Sequence, residues 1–186
     1  LGRVREACAK VGWSPVYHYT QPLLGPLILK GGLRMSTQGQ GDGGVYFSTL
    51  GPCSYGIGSA DYEKSLIVDC FGEGRFLEYA GKGLLDLCLV YGAEPSCLSP
   101  APGGRDNARM VSKATFQALG LADATGSYFL RPDRILGAFL LDPSARPGTS
   151  AAAPVSAVGA ALTGARHARN SALREERRRD EEAKEA

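Results

Sequence analysis

Two histidines in 186 residues, His18 and His167, limit the chemistry open to this chain. They sit at opposite ends of it, which excludes metal centres and proton relays that need several imidazoles. Five cysteines (Cys8, Cys53, Cys70, Cys88 and Cys97) are odd in number and form no Cys-x-x-Cys pair, which argues against a disulfide scaffold and a zinc site. His18 lies inside Val16-Tyr17-His18-Tyr19-Thr20, where one imidazole can orient a ligand by hydrogen bonding. A second segment, Asp42-Gly43-Gly44-Val45-Tyr46-Phe47-Ser48, joins two glycines that allow close backbone approach to an aromatic face for stacking. A third, Gly126-Ser127-Tyr128-Phe129-Leu130-Arg131-Pro132-Asp133-Arg134-Ile135, brings hydroxyl and carboxyl groups late in the chain.

Each segment also has a plain structural explanation. A lone strand histidine is most often packed, Tyr46 suits a strand core, and Asp42-Gly43 is a strong hairpin signal. Other chemistries fail on motif. No Lys-Ser or Lys-Thr follows Gly39–Gly44, so it is no phosphate loop, and Gly56, Gly58, Gly72 and Gly74 build no dinucleotide fingerprint after a strand. Gly-x-Ser-x-Gly does not occur. A thiol nucleophile, Cys53 or Cys70 with His18, has no accompanying signature, and a buried free cysteine is the commoner case.

The elements that must position these residues are short. Residues 1–12 read as a helix stopped by Gly12, Val16–Thr20 as a strand, and Pro22–Lys30 as an apolar helix ended by Gly31-Gly32. Gln38–Gly44 is a glycine-rich loop, and Gly44–Thr49 and Ser65–Phe71 read as buried strands. Leu84–Tyr91 is ambiguous between strand and helix, and Glu94–Gly104 is a loop. Asp106–Leu119 reads as a helix capped by Asp106 and stopped by Gly120, with Arg105, Arg109 and Lys113 as a basic stripe. Tyr128–Arg131 and Ile135–Leu141 read as strands broken by Pro132-Asp133. This pattern predicts an α+β domain on a largely antiparallel sheet.

His-Tyr-Thr, a short helix with a Gly-Leu-Arg turn, and then Gly-Gly-Val-Tyr-Phe-Ser together resemble the ADP-ribosyltransferase superfamily, closest to toxin-type domains with an H-Y-D signature. The resemblance covers roughly residues 14–142. It implies a mostly antiparallel, split β-sheet with few short helices around a cleft for NAD, the co-substrate. It also implies cleavage of the nicotinamide–ribose bond through an oxocarbenium-like sugar and transfer of ADP-ribose to an acceptor. By the same resemblance His18 would hydrogen-bond an adenosine ribose hydroxyl. Tyr19, with Thr20 beside it in the motif, would offer backbone groups to the nicotinamide amide. Tyr46 would stack on the nicotinamide ring beside Gly44, Ser54 would hydrogen-bond the amide, and Tyr55 would add a second stacking face. The sequence departs at the late strand, where the family places an acid. Ser127 occupies that position, and Asp123 and Asp133 are the neighbouring carboxylates, so the third catalytic group stays open among them. The resemblance admits two further readings: an enzyme that removes a 2′-phosphate from RNA with NAD as acceptor, and a silent NAD- or ADP-ribose-binding module. An RNA phosphate would call for more basic residues close to His18, and only Lys30 and Arg34 are near in sequence. The acceptor, whether protein, nucleic acid or small molecule, has no readable code here.

Charge and composition set the frame. Twenty-one basic against 19 acidic residues give +2, too balanced to argue for a nucleic-acid or membrane surface. No run of about 18 apolar residues occurs, so no membrane helix is expected. The chain opens at Leu1 with no basic, then apolar, leader, and reads as a fragment or processed product of soluble, intracellular character. The predicted organisation is a domain over residues 1–143, an Ala/Gly/Ser/Pro linker over 144–165, and a charged tail over 166–186. That tail is supported as a solvated helix by pairs such as Glu175–Arg179 and Asp180–Lys184.

Overall fold

The computed structural model describes residues 2–37, 43–57, 59, 61–103 and 105–141. Asp42, the linker and the charged tail with His167 lie outside them. The described residues belong to one compact unit, Leu1–Thr149.

In chain order the elements are α1 (Gly2–Lys10), β1 (Ser14–Thr20), α2 (Gly25–Gly31), β2 (Leu33–Arg34), β3 (Gly44–Ser48), α3 (Tyr62–Phe71), α4 (Phe76–Tyr79), β4 (Leu87–Ala93), β5 (Ser99–Pro100), β6 (Ala108–Ser112), α5 (Lys113–Leu119), β7 (Phe129–Leu130) and β8 (Ile135–Leu140). The architecture is α+β: a six-stranded antiparallel sheet in the order β5-β6-β3-β1-β4-β8, with five short helices and a small β2-β7 pair among the described residues.

β4 is buried along its whole length, and alternation sends its side chains to two cores. Leu87, Leu89 and Tyr91 join Val16, Val45, Phe47, Val111 and Phe116 on one face. Cys88 and Val90 join Tyr17, Tyr19, Tyr55, Tyr62, Leu66 and Ile67 on the other. β1 is tied to β4 over seven residues, Ser14 opposite Ala93 through Thr20 opposite Leu87. Its ladder to β3 rests on one register pair, Tyr17 opposite Ser48. The sheet is thus firmly sewn on one side of β1 and loosely on the other.

Several segments differ from expectation. Ser65–Phe71, expected as a strand, is the end of helix α3. Tyr62, Leu66 and Ile67 are its buried residues at helical spacing, and Gly72 stops it with φ +87° and an N–H donated to the Val68 carbonyl. The helix expected from Asp106 begins at Lys113. Ala108–Ser112 is strand β6, paired with β3 from Gly44 opposite Ser112 to Ser48 opposite Ala108. The Ser112 hydroxyl, not Asp106, caps α5 by accepting the Thr115 N–H at 3.2 Å. Arg109 and Lys113 therefore lie on different elements and form no helical stripe with Arg105. Leu87–Ala93 resolves the ambiguous run as a strand.

Candidate functional site

Beyond the Tyr17–Ser48 pair, β1 and β3 line a cleft of about 660 Å³. His18, Tyr19 and Thr20 form one wall and Gly44 to Phe47 the other. Asp69, Cys70 and Phe71 at the end of α3, Arg75, Glu78, Tyr79, Arg34 and Arg105 also line the cleft. That size lies within the range of roughly 300–1,000 Å³ usual for small-molecule sites.

His18 bridges the gap between the two strands. Its Nδ1 lies 2.9 Å from the Tyr46 carbonyl oxygen, and a carbonyl can only accept, so Nδ1 carries the proton. The side chain thereby ties β1 to β3 away from the single register pair. Burial lowers the His18 pKa, and the bond to Tyr46 opposes that only in part. The ring is therefore neutral near pH 7, with Nε2 as its remaining acceptor. Phe47 holds it edge-on, with ring centroids 5.9 Å apart.

Alternation along β3 turns Tyr46 to the face opposite Phe47. It is half-buried, and burial raises its hydroxyl pKa against the pull of Arg105. Gly44 lines the cleft, yet packing alone explains it. A Cβ there would fall 2.6 Å from Met110 Cε and 2.8 Å from the Val111 carbonyl oxygen. Gly43 is held at φ +88° against the Ser36 carbonyl oxygen.

Of the other expected site residues, Tyr55 is buried and packs edge-on against Tyr19 at 5.8 Å. Its neighbour Ser54 is exposed and outside the lining. None of the three late candidates lines the cleft. Ser127 is exposed, and its backbone N–H donates to Asp123 at 3.0 Å. Asp123 also accepts from the Thr125 hydroxyl and N–H and pairs with Arg34 at 2.9 Å. These donors, the Thr125 hydroxyl foremost, hold its carboxyl well below the usual range, and Arg34, itself a lining residue, links it to the site. Asp133 sits in the 3-10 turn Pro132–Arg134 and pairs with Arg131 at 3.1 Å.

The carboxylates that do line the cleft are Asp69 and Glu78, and sequence reading found neither. Glu78 is exposed and paired with Arg75. Asp69 lies inside a polar network that joins three elements. The Leu50 N–H donates to Ser48 Oγ at 2.9 Å, and Ser48 Oγ and Tyr55 Oη are 2.7 Å apart. The Tyr55 hydroxyl donates to Asp69 Oδ2. Asn107 Nδ2 donates to Asp69 Oδ1 at 3.1 Å, and the Thr49 N–H donates to the Asn107 carbonyl oxygen at 2.9 Å. Tyr55 can donate only once, so the Ser48 hydroxyl donates to Tyr55. Burial, seconded by nearby Cys70 and the Asp69 bond, drives the Tyr55 pKa far up, so it remains a donor.

Burial pushes the Cys70 thiol up to about 12, which removes it as a ready nucleophile beside His18. Three arginines, Arg34, Arg75 and Arg105, supply the planar donor geometry that suits phosphate oxygens. Two further lining residues, Phe71 and Tyr79, stack at 4.2 Å and 17°. Among the described residues no group of His, Cys, Asp and Glu could hold a metal ion, and no helix is long and apolar enough to cross a membrane. No protein-family model matches the chain, and no curated protein or solved structure matches it either.

Proposed function

We propose that this is an ADP-ribosyltransferase-like domain that binds NAD in the β1–β3 cleft, breaks the nicotinamide–ribose bond and passes ADP-ribose to an acceptor. The observation that carries the reading is the meeting of the two motifs. His18 and Tyr46, 28 residues apart in sequence, line one cleft and are joined by the Nδ1–carbonyl bond. The residues fit the ligand in kind. A neutral Nε2 suits a ribose hydroxyl donor, an accessible tyrosine suits a flat heteroaromatic base, and guanidinium groups in the lining suit a diphosphate. In this reading the enzyme is a mono-ADP-ribosyltransferase of the glycosyltransferase class, with NAD as co-substrate and the acceptor chosen outside the two motifs.

Calorimetric titration with NAD, together with an assay for released nicotinamide, tests the reading. Tyr46→Ala removes a stacking partner worth about 0.5–1.5 kcal/mol, so NAD affinity is expected to fall roughly 2- to 13-fold. His18→Ala should weaken binding comparably through one lost hydrogen bond of about 1 kcal/mol. Unchanged affinity in both variants, or no binding by the parent chain, would refute the site.

One observation favours a second reading. Arg75 and Arg105, distant from His18 in sequence, join Arg34 in the cleft, which suits a phosphorylated RNA end as well as a diphosphate. NAD-dependent loss of phosphate from a 2′-phosphorylated oligoribonucleotide would select that reading; release of nicotinamide without RNA selects the first.

A further inference from the structure

We propose that Asp69 is the carboxylate that faces the sugar cation during cleavage of NAD, supplied by helix α3 in place of an acid on the late strand. The inference rests on the reading above and deepens it.

The reaction creates positive charge on the ribose as its C1′–N bond breaks. The bonding pair leaves with the nicotinamide nitrogen, which becomes neutral. The acceptor's nucleophilic atom, or a water oxygen where no acceptor is bound, bonds to C1′ and releases its proton to solvent, giving ADP-ribosylated acceptor or free ADP-ribose. A fixed anion beside C1′ stabilises that charge most where water is excluded and the anion need not reorganise. Ser127, Asp123 and Asp133 do not line the cleft, whereas Asp69 does and is half-buried. Its two oxygens are each held by a neutral donor, Tyr55 on Oδ2 and Asn107 on Oδ1, neither of which carries a charge to cancel its own. A carboxylate has about four acceptor positions, so two remain for the sugar. Glu78 offers no comparable fixity, because it is exposed and bound to the Arg75 cation. The two anchors belong to separate segments, Tyr55 after β3 and Asn107 before β6, and both meet Asp69 on α3, so the fold itself aims this group.

Asp69→Asn in the full chain keeps the shape and an acceptor for Tyr55 while removing the charge, and a turned-over Asn107 amide accepts from the new NH2 to keep the second contact. The expected result is a fall of about 100-fold in nicotinamide release, comparable to loss of one preorganised electrostatic group, with NAD affinity and melting temperature nearly unchanged. Tyr55→Phe, which frees the carboxylate without discharging it, should lower the rate by a smaller factor at unchanged affinity. It serves as the deciding variant if Asp69→Asn does not fold. Release by Asp69→Asn at the parent rate would overturn the assignment and leave the NAD reading intact. Parallel loss of melting temperature, affinity and rate in both variants would make Asp69 purely structural and also overturn it. A parent chain that binds NAD without cleaving it overturns the role for Asp69 together with the proposed cleavage and leaves only the binding site, and one that does not bind NAD overturns the site as well.

Discussion

His18 commits one ring nitrogen to the Tyr46 carbonyl and leaves the other as an acceptor, so its protonation has a definite sign. Burial lowers its pKa from the ordinary 6.5, so the folded chain resists a proton that the unfolded chain accepts. Stability is therefore full above that ordinary value and declines as pH falls through it, unlike a group whose pKa is raised by folding. NAD affinity should fall further into acid, below the ordinary value, where the folded chain's lowered His18 pKa is crossed and a protonated Nε2 can no longer accept from a hydroxyl. Titrations from about pH 4.5 to 7.5 check this (about two units below to one above the ordinary histidine pKa), and His18→Ala should flatten the profile. A profile independent of His18 would disprove it. Cysteine reactivity gives a second check. Cys53 is exposed, whereas Cys8 and Cys88 are buried and Cys70 titrates near 12. Iodoacetamide at mild alkaline pH should label Cys53 first, and fast labelling of Cys70 would restore the thiol chemistry rejected here.

β1 and β3 were readable because each is a short run of β-branched and aromatic residues punctuated by proline or glycine: Pro15 near the start of one, Gly43-Gly44 opening the other. Both motif residues therefore lie on the expected strands. Asp69 was not readable for an equally physical reason. Ser-Leu-Ile-Val-Asp-Cys-Phe is a short apolar run, and periodicity cannot separate strand from helix at that length. Read as a strand, it gave Asp69 no special face; as the last turn of α3, it reaches Tyr55 and Asn107. The late motif misled in the other direction, because Asp123 and Ser127 serve a turn that builds its own hydrogen bonds. Element stability is open to test. Leu89 in β4 is fully buried, so Leu89→Ala should cost about 2–5 kcal/mol, read by denaturant unfolding. Ser112→Ala removes the α5 cap and should cost about 1 kcal/mol. A cost near zero for either would contradict the packing described.

At the scale of the molecule, the six-stranded antiparallel sheet was legible as a class but not as an order. Alternation identifies strands, while the order β5-β6-β3-β1-β4-β8 depends on pairings between distant segments. One consequence could not be seen from either motif alone: seven register pairs on one side of β1 against one on the other leave the gap that the cleft fills. Every lining residue falls between Tyr17 and Ala108, and both cores lie within the first compact unit. A chain ending at Thr149 should therefore bind NAD as the full chain does, and loss of binding would contradict a site built wholly from this unit. The most direct measurement of the central claim is calorimetric titration of the full chain with NAD, repeated on Tyr46→Ala. Saturable one-to-one binding that weakens several-fold in the variant is the expected result, and absence of binding, or equal affinity in both proteins, would contradict it.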